Sequence, residues 1–415
     1  MYNVKGIYMK RNLTALMILL GVQLLLWKGI PIIFRTAHKE TPKLEVSKVT
    51  NILRTTLKGH ALKVTSAAIT ADHKTVISGS EDNTIKIWNL ETGQLKRTLT
   101  GHTGIVNYLS VTPDDKYIVS AESKNVRIWN LQTGALIREL ENSNGTISFV
   151  ETSQDGKILI MDGGTQSIKS KKVDQSGYSY ETFITKYVIN VLNLQSGNLT
   201  TRLVNDDLFT EIEISSNRNL LVSGDRTGRL NIWNLRTNTL QKTLIEHKSE
   251  IKSIAISPDE KTIVSTGNDG QIKIWDVNSG KIKSTFTGHK VESYSYNIVT
   301  ALIPDNNTLV TWNTNTRQND VKIWNLQTGE LRYTLQPPKQ NLYLDSYFNF
   351  VKISPDGKNL ITKGNNSIQT WGLATGQLNN TIKIPGDILA FSSDGTILAT
   401  RVEENNINLQ QIISK

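Results

Sequence analysis

The chain contains no cysteine. Disulfides, thiolate-bound zinc and thiol nucleophiles are thereby excluded, while neither redox compartment is. Histidine is scarce, with six in 415 residues. His60, His102, His247 and His289 sit at recurring positions, which leaves His38 and His73, too few for a metal-ligand cluster. There is no phosphate-cradling glycine loop, because the glycines fall at turns. Nor is there a block of positive charge beyond residue 48. The net charge is +10, but residues 1–48 hold eight Lys and Arg against Glu40 and Glu45, leaving +4 spread thinly over residues 49–415. Nucleic-acid binding needs concentrated phosphate neutralisation and is not expected. No metal and no cofactor is expected either.

What is present begins with a composition, 38% hydrophobic and 20% charged, that suits a folded body. Leu13 to Trp27 is a mostly apolar run preceded by Lys10 and Arg11. Its fifteen residues are signal-peptide length. Continuing past Lys28 to Phe34 gives 22, enough to span a bilayer with Lys28 snorkelling near one end. Three readings compete: an uncleaved anchor, a cleaved secretory signal and a buried soluble helix. The anchor is preferred, because Trp27-Lys28-Gly29 and Arg35-Thr36-Ala37 are poor cleavage sites. Positive charges flank both sides, so the charge rule leaves orientation open; the short basic head favours a folded body outside the cytoplasm. Residues 1–34 are therefore read as one N-terminal hydrophobic helix, with the membrane contact at 13–34. Residues 35–48 are read as a polar linker and 49–415 as the folded domain.

One phrase recurs along that domain: Ile87–Gly93, Ile128–Gly134, Val191–Gly197, Ile232–Asn238, Ile274–Gly280, Ile323–Gly329 and Thr370–Gly376. Turns of Pro-Asp type, such as Pro113-Asp114, Pro258-Asp259, Pro304-Asp305 and Pro355-Asp356, precede the aromatic position by 15 or 16 residues in most copies. Alternating segments such as Thr84-Ile85-Lys86-Ile87-Trp88 read as strands, and the Thr-Gly pairs supply tight turns. The fold class is all-β. A period of roughly 41 residues with four strands matches a propeller blade.

In these residues the chain resembles the WD40-repeat family, in the style of its repeat-rich bacterial members. Gly59-His60, Gly101-His102 and Gly288-His289 match the family's Gly-His opening, and Trp275-Asp276 its Trp-Asp close. The other Trp copies carry Asn or Gly in place of that Asp. The third strands are marked by Trp88, Trp129, Leu192, Trp233, Trp275, Trp324, Trp371 and a weak eighth at Leu409. The eighth copy has too little chain for a fourth strand, and residues 52–57 read like residues 94–99. The resemblance implies closure by pairing that N-terminal strand with the last blade, which removes exposed edges. Eight blades are expected, with seven the alternative should the last copy not form.

Two sets, His60, Ser78, Asp82 with Trp88 and His247, Ser265, Asp269 with Trp275, contain the residue types of a hydrolase triad. They recur at the same offsets in two blades, and the resemblance implies buried tetrads that brace them. No catalytic residue is assigned. His102 and His289 keep the opening without the full set, so blades 2 and 6 should be braced less rigidly.

Departures from the repeat carry the functional signal. Blade 3 has about 21 extra residues between its second and third strands, and blades 6 and 7 are also enlarged there or before the first strand. In the family both loop kinds emerge on one face. These segments hold Tyr178, Tyr180, Phe183, Tyr294, Tyr296, Tyr343, Tyr347 and Phe348, aromatics suited to protein contact. The expectation is a non-enzymatic, membrane-tethered scaffold that binds other proteins or peptides as a monomeric propeller. A secreted or periplasmic ligand-sensing propeller is the alternative. A propeller enzyme would need a cluster of acids or histidines at the central channel, and none is evident.

Overall fold

A computed structural model describes residues 54–412, apart from 143–144, 148, 154–155, 174, 176–178, 216, 218, 238, 289–297, 303–304, 314–319, 337–349, 355–356, 364–366 and 385. The N-terminal apolar run and the linker lie outside the described residues. Among those described, the secondary structure is strand only, and no helix is long and apolar enough to cross a membrane.

Eight antiparallel sheets of four strands form. Blades 1 to 7 are built from consecutive strands within residues 64–99, 108–141, 150–205, 209–245, 251–287, 298–335 and 350–383. Blade 8 joins Asp387–Phe391, Ile397–Val402 and Asn406–Gln411 to Arg54–Leu57, taken from the other end of the chain. The closing register runs from Arg54↔Gln410 to Leu57↔Ile407, and Leu57 is buried. The alternative of seven blades is therefore set aside.

The core lies between blades. Val76 and Trp88 of blade 1 meet Leu57, Leu389, Ala399 and Leu409 of blade 8. On the other side Ile77, Ile85 and Ile87 meet Leu109, Ile118 and Trp129 of blade 2. Middle strands thus bury both faces, which is why they read as Ile-x-Ile-Trp rather than strict alternation. Outermost strands have little to cover: in Leu95–Leu99 only Leu99 is buried.

The recurring phrase also has a local cause. The Asn89 side-chain oxygen accepts the Thr92 N–H at 2.8 Å, the Gly93 N–H donates to the Asn89 carbonyl at 2.9 Å, and Gly93 takes a φ of 69°. Asp276 accepts from the Ser279 N–H in the same manner. Asn and Asp are interchangeable here because each offers the acceptor that the turn needs.

Two expectations are corrected by register. The aromatic position of blade 8 is Gln410, not Leu409. Gln410 pairs with Leu398 as Trp88 pairs with Val76, while Leu409 pairs with Ala399 and turns into the blade 1 contact. The excess of blade 3 is not an irregular loop. Ile158–Val173 and Ser179–Asn193 are long strands that stay paired as far as Val173↔Ser179. A bulge at Asp162/Thr165 marks where this arm leaves the sheet. There Asp162 accepts the Gly164 N–H at 2.7 Å, and Gly164 has a φ of 73°, so glycine is required.

Candidate functional site: the loop face

In blades 1, 2 and 5 the turn before the first strand and the turn between the second and third strands meet on one face, as the contacts of His60 with Asp82, Thr103 with Glu122 and His247 with Asp269 show. Asp82 accepts from His60 Nδ1 at 2.8 Å and from the Ala61 N–H at 2.9 Å. His60 therefore carries its proton on Nδ1, so Nε2 accepts from the Ser78 hydroxyl at 2.8 Å. Ser78 in turn accepts the Trp88 indole N–H at 2.9 Å. Blade 5 repeats this arrangement. His247 Nδ1 lies 3.1 Å from Asp269, its Nε2 2.8 Å from Ser265, and the Trp275 indole donates to Ser265 at 2.8 Å.

Burial pushes Asp82 up, but hydrogen bonds from Thr84, His60 and the Ala61 N–H outweigh it and hold the carboxyl at about 2. Burial lowers His60 against the pull of Asp82, which keeps the ring neutral. Ser78 is 0% exposed and its hydroxyl is engaged on both sides. A nucleophile that no substrate can reach does not catalyse, and so this arrangement supports only a brace.

Blade 2 differs from the expectation of weaker bracing. Glu122 takes the place of the carboxylate, accepting the Thr103 N–H at 3.0 Å and the Arg127 guanidinium. Arg127, only 4% exposed, also donates to His102 Nδ1 at 2.6 Å and pairs with Glu139 at 2.6 Å. That contact reverses the tautomer: His102 Nε2–H now donates to Ser120 at 2.7 Å, and Ser120 also accepts from Trp129 at 2.8 Å. The turn is one residue shorter than in blade 1, so the longer glutamate arrives from a different offset. His289 lies outside the described residues.

Sequence reasoning also missed blade 4. There an amide does the work of the imidazole: Asn205 donates to the fully buried Asp225 at 3.3 Å and accepts from Asn231 at 3.1 Å. The simpler signal was an indole donating to a Ser or Thr hydroxyl. It recurs from Trp233 to Ser223, from Trp324 to Thr311 and from Trp371 to Thr362.

The blade 3 arm rises from the same face. Counted from Thr165 to Val173 it reaches about 30 Å at ~3.3 Å per residue. Phe183 is 64% exposed and Ile168 39%. Lys169 pairs across the ladder with Phe183, holds its ammonium 5.8 Å from that ring centroid, and forms an ion pair with Glu181 at 2.9 Å. Tyr180 lies on the arm opposite Lys172. Tyr178, Tyr294, Tyr296, Tyr343, Tyr347 and Phe348 fall outside the described residues. Among the described residues no group of three His, Asp or Glu is placed to hold a metal ion.

Comparison with known proteins fits this geometry. Residues 238–276 match the profile of the WD domain, G-beta repeat, and residues 56–179 match that of the NWD2 C-terminal β-propeller. The chain is 47% identical over 58 residues to cell division control protein 4 of Candida albicans, covering 14% of this chain and 8% of that one. It is 50% identical over 46 residues to GID complex subunit 7 of Schizosaccharomyces pombe, covering 11% and 9%. It is 44% identical over 62 residues to a lissencephaly-1 homolog of Caenorhabditis briggsae, covering 15% and 16%. The matched stretches thus span a small part of each relative. The computationally designed Ika8 protein shares the fold, with a TM-score of 0.65 at 23% identity over 86% of this chain and 99% of that one.

Proposed function

We propose, from the premise that this chain is a WD40-repeat propeller, that it is a non-enzymatic scaffold whose loop face gathers other proteins. The blade 3 arm is the observation that carries this reading. The edges of the ring are short outer strands, whereas the arm holds out Phe183 and Ile168 beside Lys169 and Glu181, an apolar centre with a charged rim of the kind that protein contacts use. Below Tyr187, where the strand returns to the sheet, Val188 and Ile189 are buried again. Phe183 and Ile168 are thus exposed by the extension, in addition to Leu199 and Val204 on the outer strand of the blade. The membrane is reached through residues 13–34, with residues 35–48 as the lead to a monomeric propeller outside the cytoplasm.

Two experiments test the two halves of the proposal. Replacing Lys169–Phe183 by Asn-Gly, a two-residue turn joining the paired Ile168 and Ile184, should leave thermal unfolding within a few degrees and remove at least one protein recovered by proximity labelling of the full chain. An unchanged set of labelled proteins would show that the arm is not the docking element. Alkaline carbonate extraction should leave the full-length chain in the membrane pellet, and its release to the supernatant sinks the tether.

A further inference from the structure

The seam between blades 7 and 8 differs from other blade contacts in what fills it. In blade 1 the Trp88 indole covers the Gly-His turn so closely that a Cβ on Gly59 would lie 3.2 Å from the ring. Gly101 stands in the same relation to Trp129, at 3.3 Å. Register places Gln410 at the Trp88 position, Asn408 at that of Lys86 and Thr56 at that of Thr98. Leu378 pairs with Trp371 as Leu95 pairs with Trp88, and counting on from there puts Ile384 where Gly101 stands. Glu246 stands in the same place ahead of Trp275 in blade 5, so a side chain there does not by itself exclude an indole, and what sets this seam apart is Gln410 in the indole's place. Ile384 fills only part of the space that the indole would take.

The result is an open cavity of about 600 Å³ at this seam, lined by Thr56, Lys58, Lys383, Glu403, Asn408 and Gln410 around Ile384. Its chemistry is specific. Lys58 and Lys383 approach from two different blades and neither has an ion-pair partner among the described residues. Asn408 and Gln410 present amides that both donate and accept, and Thr56 adds a hydroxyl. The Glu403 carboxylate is steadied by the Asn406 amide at 3.0 Å. Glu403 and Glu404 both take left-handed backbone, with φ of 50° and 57°, a conformation that costs free energy and that no glycine relieves here. The strained turn is fixed to blade 1 by the Val64 N–H, which donates to the Glu404 carbonyl at 2.8 Å.

We infer that this seam is a binding site for a small hydroxylated anion, a hexose-sized sugar carrying a phosphate or a carboxylate. The two ammonium groups answer the anionic group, the amides, Thr56 and Glu403 answer the hydroxyls, and half-buried Val402 offers an apolar surface for a ring face. Pockets of this size enclose ligands of that size, and a charged pair exposed to solvent gives an affinity that falls with salt.

Isothermal titration of the full chain at low ionic strength, with glucose 6-phosphate, glucuronate, glucose and inorganic phosphate as separate probes, tests the site. At least one of the two acidic sugars should bind with a Kd of about 1 mM or below and at least tenfold more tightly than glucose or phosphate, a difference of about 1.4 kcal/mol. The exposed pair Lys58→Ala with Lys383→Ala should weaken that binding tenfold or more without altering unfolding. The double variant Ile384→Gly with Gln410→Trp restores the ring found in blades 1 and 2 and should abolish binding while leaving the chain folded by circular dichroism. Equal binding of phosphate and sugar phosphate, which would mean an adventitious ion only, overturns the proposal. So does failure of both acidic sugars to bind more tightly than glucose, or full binding by the filled variant.

Discussion

Blades 1 and 8 are neighbours with the same four-stranded outline and opposite internal design. Blade 1 is cut from one stretch of chain and tied through its interior by His60, Ser78, Asp82 and Trp88. Blade 8 is assembled from both ends of the folded body and has none of these four: Gln410 stands for the tryptophan, and Thr400, paired with Asn408, stands for the serine. Blade 8 nonetheless keeps its place. Its Leu57, Leu389, Ala399 and Leu409 form one core with Val76 and Trp88 of blade 1. Burial between blades holds the ring, while the polar brace stiffens individual members. A member without a brace can therefore persist when its neighbours supply apolar surface, and the position that lost its indole is free for other use.

The sharpest way to break this comparison is to remove the contribution of the borrowed strand. Deleting Arg54–Leu57 from the full chain should lower stability by about 5 kcal/mol or more, from one buried leucine at ~3 kcal/mol and ladder hydrogen bonds at ~1 kcal/mol each. Urea unfolding measures it, and an unchanged midpoint would mean that the ring does not depend on closure. Next in size is the aromatic position. Trp88→Ala should cost about 3–5 kcal/mol and Gln410→Ala less than about 1 kcal/mol, although the two residues occupy equivalent places in adjacent blades. Similar losses at both would erase the distinction drawn between them.

The smallest expected effect is on pH dependence. Asp82 sits at about 2 in the fold, against ~3.9 for a free carboxyl. The unfolded chain thus holds a proton there at pH values where the folded chain does not. That stabilisation is complete above pH ~4 and disappears as the pH falls toward 2. His60, lowered by burial, works in a separate window: the unfolded imidazole takes up a proton below pH ~6.5 before the folded one does, so stability falls there as well. The urea midpoint should therefore decline in two steps on acidification, and Asp82→Asn should make the lower step smaller without removing it, because Asp269 and Asp276 are also held below the ordinary carboxyl range. A lower step of unchanged size in that variant would assign the acid loss to the other carboxylates.

Most of the ring was legible from the chain because its signals are local. The Asn89 or Asp276 acceptor, the glycine that follows and the buried Ile-x-Ile-Trp strand each declare a turn or a strand within a few residues. The closing strand was legible because residues 52–57 resemble residues 94–99, and of these Arg54–Leu57 pair with the last blade. What escaped depended on length and offset. Glu122 sits two residues after its serine, where Asp82 sits four after, and only the shortened turn of blade 2 makes the longer side chain equivalent. Spacing does not separate Gln410 from Leu409, because they lie 16 and 15 residues after Asp394 and both intervals occur in the repeat; side chains alternate along a strand, and a shift of one residue changes which blade is faced. The length of the excess does not distinguish an arm from a loop; the pairing from Ile168↔Ile184 to Val173↔Ser179 is a property of two strands together.

The pairing of Arg54 with Gln410 at one end of the closing ladder and of Leu57 with Ile407 at the other has a mechanical consequence. The chain runs into the folded body and out of it from the same end of that ladder, so opposed pulling on the two tails would peel its hydrogen bonds one after another instead of shearing them all at once. A ring that resists heat through its interior would thus yield to modest tension at its rim, beginning at blade 8.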